Sequence, residues 1–115
     1  MADHITIRKA DGVWVVRAGG AALGERREAL ELVEGAAPAV IYFPRADLAM
    51  AFLERSDTVS HCPHRGDASH FNIVTTSETL PDRAWSYESP GPAMARIRDH
   101  VAFHADGDAV AVEQL

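Results

Sequence analysis

Ile5-Thr6-Ile7 alternates apolar and polar residues, the chain then passes Asp11-Gly12, and Val13-Trp14-Val15-Val16 resumes the apolar run on the far side. Period two on either side of a turn dipeptide predicts a β-hairpin, and with it a β-built fold. Outward from this point, Gly19-Gly20 interrupts the pattern. The stretch Ala21 to Glu34 is ambiguous, because Ala, Leu, Glu and Arg favour helix while Leu30 and Leu32 alternate. No Ser, Thr, Asp or Asn caps a helix at its start. A short strand near Ala22, a helical turn around Arg26 and a second strand from Leu30 to Val33 are expected; one helix across Glu25 to Glu34 is the alternative.

Farther along, Val40-Ile41-Tyr42-Phe43 is β-branched and aromatic, and Pro44 ends it as a paired strand. Asp47 is expected to cap a short helix whose Leu48, Ala51 and Phe52 share one face, stopping by Ser56-Asp57. Strands follow at Thr58 to His61, Ser69 to Val74 and Arg83 to Tyr87, with Pro63, Gly66 and Pro81-Asp82 in the breaks. Met94 and Ile97 mark one more helical turn. Val101-Ala102-Phe103 and Val110-Ala111-Val112, across Asp106-Gly107-Asp108, read as a closing hairpin. Eight or nine short strands with two or three short helices predict a mainly β, antiparallel sandwich or incomplete barrel.

Composition narrows the class further. The chain has 115 residues, 47% hydrophobic and 24% charged, so one globular domain over residues 1–115 is expected. Apolar runs are too short to span a bilayer and the first residues lack a signal-peptide pattern, which points to the cytoplasm. A net charge of −6 argues against nucleic acid and membrane surfaces as partners. The single cysteine, Cys62, excludes an internal disulfide framework. There is no glycine-rich phosphate loop with its lysine, the only lysine being Lys9.

Three corners combine chain-breaking residues with chemistry: Tyr42-Phe43-Pro44-Arg45-Ala46-Asp47, His61-Cys62-Pro63-His64-Arg65-Gly66-Asp67, and Trp85-Ser86-Tyr87. A corner held by Pro or Gly is rigid and can present a side chain in one orientation. The plainer account is that Tyr42, Trp85 and Tyr87 supply core area with hydrogen-bonded polar tips. These corners, with Ala68-Ser69 and Val101-Ala102-Phe103, resemble the mainly bacterial family described as domain of unknown function 427. The resemblance covers nearly the whole chain and implies a small β-tent-like fold without an established activity. His64, His70 and His104 depart from the family's usual aromatic residues at those positions.

Three functional readings follow. The preferred one is a small polar or anionic ligand held in a cleft between the β-sheets. Arg45 and Arg65 would supply charge, Tyr42, Trp85 and Tyr87 flat walls, and Asp47 or Asp67 would orient an arginine. The second is cysteine-dependent catalysis or redox chemistry at Cys62, with Arg65, His61 and His64 close along the chain. The third is a structural protein that self-associates into a homo-oligomer through a sheet edge. Zinc on His61, Cys62, His64 and His70 is disfavoured, since His61 and Cys62 would point to opposite faces of a strand. His4, His100 and His104 are expected to be solvated or structurally hydrogen-bonded. No cofactor is expected.

Overall fold

The computed structural model describes residues 4–19, 21–27, 29–63, 65–76, 78–105 and 109–115. Their strands are β1 (Ile5–Lys9), β2 (Trp14–Ala18), β3 (Ala21–Arg26), β4 (Leu30–Glu34), β5 (Val40–Pro44), β6 (Leu53–Cys62), β7 (Gly66–Val74), β8 (Thr79–Tyr87), β9 (His100–Phe103) and β10 (Val110–Gln114). Short 3-10 turns span Arg45–Asp47, Met50–Phe52 and Pro92–Ile97. The strands form two antiparallel sheets, one of seven in the order β1-β4-β5-β9-β8-β7-β6 and one of three in the order β10-β2-β3. Neither closes into a barrel, so the mainly β expectation holds.

Neither expected hairpin exists. β1 pairs with β4, and the alignment runs on as Ala10 N–H donates to Ala29 O at 2.8 Å. β2 belongs to the other sheet, flanked by β10 and β3. Val15 and Val16 are adjacent yet both fully buried, which suits the middle strand of a covered sheet and leaves no free edge for β1. Gly12, at φ +77°, turns the chain from one sheet to the other. At the far end, β9 is caught between β5 and β8 while β10 pairs with β2. The Asp106–Asp108 connection lies outside the described residues.

The expected helix after Asp47 is also replaced. Ala49 N–H donates to Leu23 O at 2.8 Å and Leu48 bridges Gly24, so β3 captures the chain and divides the segment into two 3-10 turns. Asp47 makes no cap; it faces Arg26 at 3.2 Å. β3 extends as far as Arg26, where a helical turn was expected, and β6 begins at Leu53. Pro81-Asp82 does not end β8 but sits at a register shift, with Asp82 at φ +52°, the kind of irregularity that admits proline within a strand. The turn around Met94 and Ile97 forms as expected.

Alternation then sorts the large sheet into two faces. Phe43, Phe71, Ala84, Val101 and Phe103 turn toward the small sheet and pack with Val16, Leu23 and Val110. Leu32, Tyr42, Ala68, Tyr87 and Ala102 turn the opposite way and pack with Met94 and Ile97 of the last 3-10 turn. The first face makes the inter-sheet core; the second is an outer face only partly covered.

Candidate functional site

Register decides which sequence-selected residues meet. Ala68 lies opposite Tyr87 and Ser60, and His70 opposite Trp85, which in turn opposes Ala102. Residues opposite one another in antiparallel strands share a face, so Ser60, His70, Trp85 and Tyr87 stand together on the outer face. Tyr42 joins them from β5, and Arg65 from the β6–β7 turn. Although β5, β9, β8 and β7 separate β4 from β6 in the sheet, Arg65 pairs with Glu34 at the end of β4. The outer face is therefore concave, and this ion pair ties its two rims. The result is a pocket of about 220 Å³ walled by Tyr42, Arg65, Trp85 and Tyr87, with Val40, Ser60, His70 and His104 completing it.

Trp85 Nε1–H donates to the Tyr42 hydroxyl at 3.2 Å, and the two rings meet edge to face with centroids 6.3 Å apart. Burial pushes the Tyr42 phenol up to about 12, against the opposing effect of the Trp85 hydrogen bond. Burial likewise raises Tyr87, with Arg65 pulling the other way. Both phenols thus keep their protons at neutral pH and remain donors. Burial would lower the Arg65 guanidinium, but its hydrogen bond to Glu34 and the nearby Tyr42, Tyr87 and Cys62 more than offset this. Arg65 is a permanent cation in the pocket wall.

On the opposite rim, the His104 ring lies 4.3 Å from Trp85, centroid to centroid. Burial, then the charges of His70 and Arg83, lowers its pKa, so His104 is neutral at pH 7. Ser60 Oγ is 2.8 Å from His70 Nε2. Two buried nitrogens of pocket residues, Arg65 Nε and His70 Nδ1, have no hydrogen-bond partner. Buried polar atoms without partners are uncommon in folded proteins; the Arg65 Nε–H leaves room for an acceptor, and His70 Nδ1 for an acceptor or a donor according to its tautomer.

Arg45 and Asp47 do not join the pocket. Arg45 lies on the inner face, donating to Ser86 Oγ at 3.1 Å and Glu88 at 2.7 Å, with its guanidinium carbon 5.7 Å from the Phe71 ring centroid. Glu88 also takes two hydrogen bonds from Arg55, at 2.9 and 2.8 Å, and one from Ser69 at 2.9 Å. Those of Arg55 foremost, these contacts hold its carboxyl down to about 2 despite partial burial. Arg45 is thus committed to a structural ion cluster, and Asp47 to Arg26. Asp67 is exposed and engages His61, 2.7 Å away. Cys62 is partly buried beside the pocket, where Arg65 donates to its sulfur at 3.3 Å.

Among the described residues no group of three or more His, Cys, Asp or Glu is arranged to hold a metal ion. His64 lies outside the described residues. The preferred cleft needs correction in its position. The polar pocket is on the outer face of one sheet, whereas the hollow between the sheets, about 240 Å³, is lined by Trp14, Ile41, Phe103 and Val112 and contains Trp85 alone of the selected residues.

Sequence reasoning passed over Glu34, Glu88 and Ser60, and read His104 as solvated or merely structural. Parity was the available signal: Trp85 and Tyr87, two apart, had to share a face, while Arg45, three beyond Tyr42, did not. Nothing local announced Glu34, which meets Arg65 only because the sheet curls.

No helix among the described residues is long and apolar enough to cross a membrane. Compared with family models, residues 6–114 match one described as a domain of unknown function, DUF427. No curated protein matches the chain significantly.

Proposed function

The chain belongs to the DUF427 family, a membership that assigns no reaction, and we propose from the geometry that the outer-face pocket binds a small anion carried on a flat or apolar body. One observation carries this reading: four donor-bearing side chains, Arg65, His70, Tyr42 and Tyr87, line one hollow beside the Trp85 ring, and the buried Arg65 Nε–H lacks an acceptor. A carboxylate or phosphate supplies acceptors, and a guanidinium recognises either by charge and shape. Glu34 then acts as an internal competitor for Arg65.

Benzoate and inorganic phosphate are suitable probes, with thermal stabilisation as the readout. Wild-type protein and Arg45→Ala should be stabilised alike, since Arg45 is on the other face. Glu34→Gln should bind more tightly and Arg65→Gln should lose the effect. Equal stabilisation of wild type and Arg65→Gln would reject the proposal.

A second reading, cysteine-dependent chemistry, draws support from the 3.3 Å hydrogen bond from Arg65 to the Cys62 sulfur. An adjacent guanidinium is one of the features that reactive cysteines share. Iodoacetamide should then modify Cys62 faster in wild type than in Arg65→Gln; equal rates would remove this reading.

A further inference from the structure

β5 and β9 pair only at Phe43↔Val101 and Pro44↔His100. Continued, that antiparallel register would set Tyr42 against Ala102 and Ile41 against Phe103, but neither pair forms. β5 stays with β4 through Leu30↔Tyr42 and Leu32↔Val40, while β9 stays with β8 through Trp85↔Ala102 and Ala84↔Phe103. The large sheet is therefore split from Tyr42 back toward Val40 on one side and from Ala102 onward on the other.

The two hollows flank this split. On the outer face is the polar pocket, about 220 Å³ in volume. On the inner side, opening between the sheets, is the apolar hollow of about 240 Å³, with Trp14, Ile41, Phe103 and Val112 as walls and Ala39 exposed at its margin. Val40 and Trp85 line both. The charged member of the apolar hollow, Glu31, is already held by Arg8 at 2.6 Å. Each hollow is smaller than the roughly 300–1,000 Å³ usual for a small-molecule site, while the two together fall inside that range.

We infer that one elongated amphipathic anion occupies both hollows across the β5–β9 split, its charged head beside Arg65 and the two phenols and its hydrocarbon tail against Trp14, Ile41, Phe103 and Val112. The inference rests on the anion reading above and adds the ligand's class: a medium-chain or aryl-alkyl carboxylate. Val40 and Trp85 form the waist between head and tail. The apolar hollow faces the ligand with side chains that make no demand for hydrogen bonds, which suits methylene groups.

The test titrates wild-type protein with acetate, butanoate, hexanoate and octanoate, and with octanol as a neutral control. Binding is followed by thermal shift and by tryptophan fluorescence. The protein has two tryptophans, and both border the apolar hollow. Affinity is expected to rise about threefold to fourfold per buried methylene. Ala39→Phe, at an exposed position, should fill the apolar hollow; its unaltered thermal denaturation without ligand would show that the fold survives. In that variant the chain-length gain should disappear while acetate binding persists. If affinity is independent of chain length but Arg65→Gln still abolishes acetate binding, the inference fails and the anion reading stands. If octanol binds as well as octanoate, the inference fails; if neither the carboxylates nor inorganic phosphate bind, both fail.

Discussion

Replacing Glu88 by glutamine removes the charge that holds Arg45 and Arg55 together while keeping the side chain's shape. Glu88 is 29% exposed and its carboxyl is lowered from the ordinary 4.5 to about 2 by Arg55, Arg45 and Ser69. At about 1.4 kcal/mol for each tenfold change in proton affinity, the full shift corresponds to about 3 kcal/mol. Arg55 is 55% exposed, so solvent screening reduces the expected contribution to about 1–2 kcal/mol. Because the folded pKa lies below the unfolded one, this stabilisation is present above pH ~4.5 and is lost as pH falls toward about 2, where folded and unfolded chains are both protonated. Urea unfolding followed by tryptophan fluorescence should therefore find Glu88→Gln weaker than wild type by about 1–2 kcal/mol at pH 7. The gap should close progressively below pH ~4.5. A gap that stays constant down to pH ~2 would mean that shape rather than charge is at work, and no gap at pH 7 would refute the cluster's contribution outright.

Other consequences are equally open to measurement. A Cβ added at Gly24 would lie 2.5 Å from Leu48 Cδ2 and 2.7 Å from the Asp47 carbonyl oxygen; Gly24→Ala should cost about 1–3 kcal/mol in thermal unfolding, and unchanged stability would argue against the docked turn. Ser86 is fully buried, accepts from Arg45 and donates to His100 O at 2.7 Å; Ser86→Ala should cost about 1–3 kcal/mol by leaving that carbonyl unpaired, and a neutral result would contradict it. Tyr42→Phe strips the acceptor from the Trp85 indole N–H and should lower stability by about 1–2 kcal/mol with a change in tryptophan emission; identical emission and stability would exclude the contact. Both tyrosines have raised pKa values, so near pH 10.5 the native protein should show far less phenolate absorbance than the same protein in denaturant; equal absorbance would contradict their burial.

Particular residues show why some of this architecture is legible in the linear chain and some is not. The β character of Ile5-Thr6-Ile7, Val40 to Phe43 and Val110 to Val112 follows from alternation and β-branching, properties a strand has whatever it pairs with. Pairing is another matter. Asp11-Gly12 can reverse a chain within one sheet or pass it to another, and the local turn chemistry is the same in both. What separates β1 from β2 is the burial of Val15 and Val16 between β10 and β3, a demand set by strands distant in sequence. The segment after Asp47 shows the same limit: its helical spacing is real, but the hydrogen bond from Ala49 to Leu23 and the Leu48–Gly24 bridge outweigh a single uncapped turn.

The candidate site divides along similar lines. The residue types were visible in the three corners, and parity alone united Trp85 with Tyr87 and separated Arg45 from Tyr42. By itself the sequence determined a mainly β chain, the family to which it belongs, and a short set of aromatic and cationic side chains suited to a site. Tertiary structure alone decided that Arg65 meets Glu34 across a curled sheet, that Arg45 goes to Glu88 on the other face, and that β5 parts from β9 between two hollows. Alternation is a property of one strand, whereas curvature, strand order and the loss of pairing arise from how many strands compete to bury their faces at once.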